Sequence, residues 1–113
     1  MYEILKNKSI SVIIPAYDEP SLLERIQFIE KELQEYVTNF EIIIVCDGKG
    51  KTPVEELKKY SEKKIQIYHY EKNQGKGFAL KFGSFKATGD YIFFIDGGPE
   101  LHPKDIKRFM LLM

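Results

Sequence analysis

The sequence predicts an α/β fold: an open, doubly wound, mostly parallel sheet with helices on both faces. Two observations carry this. Strand-sized runs of β-branched and aromatic residues alternate with segments whose apolar residues recur at helical spacing. Two of those runs are apolar without alternation, the mark of strands covered on both sides, as in parallel sheets flanked by helices.

Taken in order, SISVIIPAY (Ser9 to Tyr17) reads as the first strand, closed by a proline and polar residues. In DEPSLLERIQFIEKELQEYVTNF, the residues Leu22, Leu23, Ile26, Ile29, Leu33, Tyr36 and Val37 share one helical face. Ser21 and Glu24 have the form of a capping box, and Pro20 suits a helix start. FEIIIVCD (Phe40 to Asp47) is a second, fully apolar strand with GKGKTP as its exit loop. VEELKKYSEK is a short helix with Val54, Leu57 and Tyr60 inward, and KIQIYHY alternates around Ile65, Ile67 and His69 as a third strand. After the loop NQGKG, FALKFGSFKATG is a helix whose Phe78, Phe82 and Phe85 stripe is expected in the core, with Gly89 ending it. DYIFFID is the fourth strand, and HPKDIKRFMLLM begins a last helix at Pro103.

A β-α-β-α-β-α-β-α order with right-handed crossovers gives an open sheet. Ligands of such sheets lie beyond the carboxyl ends of the strands, near a switch in strand order. Those exits are PAYDEP, VCDGKGKTP, YHYEKNQGKG and IDGGPE, where acids and glycines gather.

A chain of 113 residues suits one domain with one modest core. Its 43% hydrophobic and 30% charged residues are ordinary for a globular protein. Seventeen Lys and Arg balance seventeen Asp and Glu, so no field recruits nucleic acid, and any anionic ligand must be held by local geometry. The single cysteine, Cys46, forms no intramolecular disulfide, which suits a reducing, cytoplasmic setting. The N-terminus lacks the long apolar stretch of a secretory leader, and no run reaches the roughly 18 apolar residues of a membrane span.

Each motif alone has a plain structural reading. Gly50-Lys51-Thr52 imitates the end of a phosphate loop, but Val45 stands where its first glycine belongs. GKGFAL imitates a dinucleotide fingerprint, but Leu80 holds the third glycine position. Asp47 and Asp96 are turn aspartates or ligand acceptors at strand ends, and Asp18 and Glu19 are helix caps or site residues. Lys76, between Gly75 and Gly77, is a phosphate neighbour or a solvated lysine. His69 and His102 lack metal-ligand spacing, and Cys46 has no evident histidine partner, so a packing role is expected for it.

In combination, SVIIPAYDEP, EIIIVCDGKGKTP and EKNQGKGFALKFGSFKATGDYIFFIDGGPELHP resemble the nucleotide-binding half of inverting family 2 glycosyltransferases with the GT-A fold, a Rossmann-like unit. The family pattern runs P-A-Y-N-E, D-D-G-S, N-x-G-K-G-x-A, A-T-G-D-Y and D-x-D. The N-x-G-K-G form resembles enzymes that transfer glucose or mannose to polyprenyl (dolichyl-type) phosphates. The resemblance implies that Pro15, Ala16, Tyr17 and Glu19 line the nucleotide pocket, with Asp18 where asparagine is usual. It implies that Asp47 contacts the base, with Cys46 in place of the first acid. Asn73, Gly75, Lys76 and Gly77 would approach the nucleotide sugar, with Lys76 near the diphosphate. Asp96 matches the first acid of D-x-D, while Gly98 replaces the second, leaving Glu100 as the nearest carboxylate to join Asp96 on Mg²⁺ or Mn²⁺.

The implied reaction is transfer of a sugar from a UDP-glucose or GDP-mannose-like donor to a polyprenyl phosphate or glycan acceptor, with inversion. Residues 1–113 are expected to form a single nucleotide-sugar-binding domain lacking the acceptor-binding half, which a missing C-terminal half or a homo-oligomer would complete. A peripheral position at the cytoplasmic membrane face is also expected. The competing expectation is a non-catalytic nucleotide-sugar-binding or assembly module, and a more distant one a flavodoxin-like signalling domain.

Overall fold

A computed structural model of the chain describes residues 7–95. The elements are β1 (Ser9–Ala16), α1 (Leu22–Tyr36), β2 (Asn39–Asp47), α2 (Val54–Tyr60), β3 (Ile65–Tyr70), α3 (Lys76–Lys86) and β4 (Tyr91–Phe94). The four strands form one sheet in the order β3-β2-β1-β4, with every neighbouring pair parallel. The chain therefore builds outward from β1 to β3 and then returns to place β4 on the other side of β1. This reversal between β1 and β4 is the switch that opens a crevice at the carboxyl edge.

Alternation along the strands divides the core into two layers. Ile10, Val12, Ile14, Ile42, Ile44 and Ile65 face α1 and α2, meeting Leu22, Ile26, Ile29, Leu33, Val54 and Leu57. Ile13, Ile43 and Val45 face α3 and meet Ala79. Helices thus cover both faces, as the uninterrupted apolar runs of β1 and β2 require.

Three expectations about the helices are corrected. Ser21 is the N-cap of α1, but it makes no side-chain capping bond; its φ of −96° and ψ of 16° lie outside the extended region that a capping side chain needs. Of the aromatic stripe of α3 only Phe82 packs, partly buried, against the core; Phe78 is 47% exposed and Phe85 is 78% exposed. The helix instead approaches the sheet through Ala79 and Gly83, where a Cβ on Gly83 would lie 2.5 Å from Ile13 Cγ2. Gly89 does not end α3, which stops at Lys86 with Ala87 extended. It passes so close to β1 that a Cβ would lie 2.7 Å from Ser11 N.

At the amino edge of the sheet Glu41 ties the strands together. Its Oε2 accepts from Ser11 Oγ (2.6 Å), Thr88 N (2.7 Å) and Thr88 Oγ1 (3.0 Å), and its Oε1 from Gln66 Nε2 (2.8 Å). Gly89 N donates to Ser11 Oγ, and Ser9 N donates to Asp90 Oδ2. The Ala-Thr-Gly-Asp segment is accordingly a fastener that sets β4 beside β1. The expected end of the fourth strand at Asp96 and the helix from Pro103 lie outside the described residues. Among the described residues no helix is long and apolar enough to cross a membrane.

Candidate functional site

At the carboxyl edge, β1 ends on buried Pro15 and Ala16, and the next side chain, Tyr17, is half exposed. Asp18 turns back with a φ of 55°, an uncommon region for a residue with a side chain. The turn lets its Oδ1 accept from Lys51 N at 2.6 Å. Gly50 must be small here, because a Cβ would lie 2.7 Å from Asp18 Oδ1. Glu19 N donates to the hydroxyl of buried Thr52 at 2.9 Å. GKGKTP is thus consumed in stitching the β2 exit to the β1 exit, and the side chains of Asp18 and Thr52 do that work.

Asp47 ends β2 and is only 4% exposed. Its Oδ1 accepts from Gln74 N (2.7 Å) and its Oδ2 from Gly75 N (3.0 Å). Asn73 Nδ2 donates to the Asp47 carbonyl at 3.1 Å, and Gly48 N donates to the Tyr70 carbonyl at 3.1 Å. The turn then enters α3 through Gly75, whose φ of 97° favours glycine. The Tyr70 phenol stands beside this group. Burial, and then the Asp47 carboxylate, push its pKa well up. Its hydroxyl is buried and makes no hydrogen bond among the described residues.

Between these exits lies a cleft of about 270 Å³ lined by Pro15, Ala16, Tyr17, Glu19, Asp47, Asn73, Gly75 and Lys76. Six residues singled out in the sequence therefore share one cavity: Pro15, Ala16, Tyr17, Glu19, Asp47 and Lys76. Asn73 and Gly75, which match the same sequence pattern, line it too. Asp96 and Glu100 lie outside the described residues. Lys76 begins α3, so the positive end of the helix dipole lies at this edge. A second cleft, of about 300 Å³, lies at the opposite edge beside Glu41 and Thr88. Glu41 there is taken up in holding strands together, and parallel sheets bind ligands at the carboxyl edge, so the smaller cleft is the candidate site.

Among the described residues no group of three or more His, Cys, Asp or Glu side chains is placed to hold a metal ion. Each Asp47 oxygen accepts one N–H group of the following turn. Cys46 does have a histidine neighbour that the sequence did not reveal: it pairs in register with His69 across β2 and β3. Burial pushes the Cys46 thiol up to about 11, against a smaller opposing pull from Lys58, so the thiol stays protonated near neutrality and acts as packing. The hydrogen bonds of Asp47 and Thr52 were also missed. Their bonds join residues 27 and 33 positions apart, and no local spacing encodes such pairs.

Comparison with known proteins adds to this geometry. A family model described as glycosyl transferase family 2 matches residues 11–113. An uncharacterized glycosyltransferase of Rickettsia bellii is 38% identical over 96 residues, 83% of this chain and 13% of that protein. A dolichyl-phosphate beta-glucosyltransferase of Dictyostelium discoideum is 33% identical over 114 residues, covering 92% of this chain and 35% of that one. The human protein of the same description is 28% identical over 111 residues, covering 89% and 34%. The chain thus spans about a third or less of the length of these relatives. Among solved structures, S. aureus TarS 1-349 superposes with a TM-score of 0.64 at 21% identity, covering 91% of this chain and 31% of that one.

Proposed function

This chain belongs to glycosyl transferase family 2, and from that premise we propose that its carboxyl-edge cleft binds the nucleotide-sugar donor of an inverting sugar transfer. The donor is UDP-glucose or a GDP-mannose-like compound, and the acceptor a polyprenyl phosphate or a glycan. The observation that carries this reading is the convergence of Tyr17, Glu19, Asp47, Asn73 and Lys76 on one cleft beside the strand-order switch. Tyr17 offers a half-exposed ring for a base to lie against. Lys76 and the first turn of α3 offer positive character to a diphosphate. The likeness to dolichyl-phosphate beta-glucosyltransferases favours glucose and a polyprenyl phosphate among the choices. Such an acceptor is already anionic and needs less help from a base than a sugar hydroxyl does.

A divalent cation belongs to the same proposal. The described residues offer no cluster for it, so Asp96 and Glu100 are the proposed ligands. When bound, such an ion would neutralise diphosphate charge.

The test is a titration of the full chain with UDP, GDP and their sugars, followed by amide NMR, with and without Mn²⁺. Binding should perturb Ala16, Tyr17, Asn73, Gly75 and Lys76. Absence of binding to every nucleotide sinks the reading. Glu100→Ala should lose the Mn²⁺ enhancement, and an unchanged enhancement removes Glu100 from the metal. Donor binding with neither transfer nor donor hydrolysis favours a binding module over an enzyme.

A further inference from the structure

We propose that Asp47 is a positioning residue: its carboxylate latches the Asn73–Gly75 turn to the end of β2 and so sets where Lys76 and the start of α3 stand at the cleft. The latch is read from the hydrogen bonds alone; its consequence for ligands rests on the proposed donor site. Asp47 is nearly buried, and each of its oxygens receives one backbone N–H of the turn. Hydrogen bonds from N–H groups to a carboxylate are stronger than neutral ones. The tie is reciprocal, because Asn73 Nδ2 donates back to the Asp47 carbonyl. Gly48 lets the two segments close: a Cβ there would lie 3.2 Å from Asn73 N and 3.3 Å from Tyr17 Cε1. Around Gly75 there is open space, so glycine serves its positive φ, and it is the Gly75 N–H that Asp47 Oδ2 holds. Without the carboxylate, the turn keeps the Asn73 side-chain bonds to the Asp47 carbonyl and to Gly75 N.

A base-reading residue and a latch differ in what they discriminate. A carboxylate that accepts a base N–H favours one nucleobase. A latch acts on Lys76 and the helix start, so it affects whatever carries the diphosphate, whichever base is attached.

Asp47→Asn keeps the size but replaces one acceptor with an NH₂ donor, which cannot receive a backbone N–H. In the ligand-free chain, amide hydrogen exchange at Gln74 and Gly75 should quicken by about tenfold or more, the scale of one lost charge-assisted bond, while β1 and β2 stay as slow as before. Asn73→Ala, which removes an exposed side chain but leaves the carboxylate, should keep Gln74 protected, because Asp47 Oδ1 still holds its N–H. Titrations with UDP, GDP, uridine and guanosine should show Asp47→Asn weakening both diphosphates by a similar factor, about tenfold, and neither nucleoside. Unchanged exchange at Gln74 and Gly75 in Asp47→Asn overturns the latch. Selective loss of one base, its nucleoside included, also overturns the proposal and makes Asp47 a base reader. Should Asp47→Asn fail to fold, Asn73→Ala decides: loss of protection at Gln74 with the carboxylate still in place overturns the latch. If the wild-type chain binds neither UDP nor GDP, the donor-site reading fails, while the exchange result still decides the latch.

Discussion

Glu41 fastens β1, β2, β3 and the segment before β4 through one carboxylate. Burial is the largest influence on its pKa and raises it. Hydrogen bonds from the Ser11 hydroxyl, from the Thr88 backbone and hydroxyl and from Gln66 together outweigh burial, so the pKa lies below the ordinary 4.5. A carboxylate with a lowered folded-state pKa stabilises the fold fully above its unfolded value, and that contribution is lost as pH falls through the folded value. Glu41→Gln should therefore cost about 1–2 kcal/mol at neutral pH, because an amide cannot accept all four donors. Urea unfolding measures this. The gap between the two proteins should close as the pH drops below 4.5; a gap that stays constant down to acid unfolding would show that the carboxylate charge is not what binds the strands.

At the scale of elements, α3 decides how near the site stands to the sheet. Replacing a helical glycine by alanine normally gains about 1 kcal/mol of helix propensity. At Gly83 the added methyl meets Ile13 Cγ2 at 2.5 Å and Val45 Cγ2 at 3.3 Å. Ile13 and Val45 are fully buried, so neither neighbour has space to yield. Overpacking of this kind costs about 1–3 kcal/mol, so it exceeds the propensity gain, and Gly83→Ala should lower Tm. Phe85→Ser should change stability by no more than about 0.5 kcal/mol, because that ring is largely in solvent. Thermal unfolding of the two variants checks both. Destabilisation by Phe85→Ser with tolerance of Gly83→Ala would mean that α3 packs through its aromatic face after all.

Across the whole molecule, order is concentrated in the middle of the sheet. β1 and β2 are flanked by strands on both sides and covered by helices on both faces. β4 has β1 on one side, and Tyr91, Ile92 and Phe94 are 40%, 40% and 53% exposed. Amides deepest in a sheet open only with global unfolding, whereas edge amides open at lower free energy. Hydrogen exchange should accordingly be slowest in residues 12–14 and 42–45 and faster in the chain around β4. Equal protection of β4 would show a stronger cover over that strand than the described residues supply.

The amino-acid sequence was enough to place every described strand and helix and to put the candidate site at the strand exits. Its apolar runs and helical periods report which residues must leave water, and burial of that kind is a property of each segment in turn. The helix-facing residues Ile26, Ile29 and Leu33 and the fully buried run of β2 follow from it directly. Folding alone decided which neighbour each polar or small group meets. Ser21 and Glu24 have capping spacing but the wrong backbone, the Phe78 and Phe85 rings face outward because Gly83 takes the contact, and Cys46 meets His69 through strand register. Asp47 reads locally as a turn residue, yet its carboxylate is spent on a turn 27 and 28 residues further along. Hydrogen bonds need alignment within a few tenths of an ångström, and across such distances in the chain only the assembled sheet supplies it.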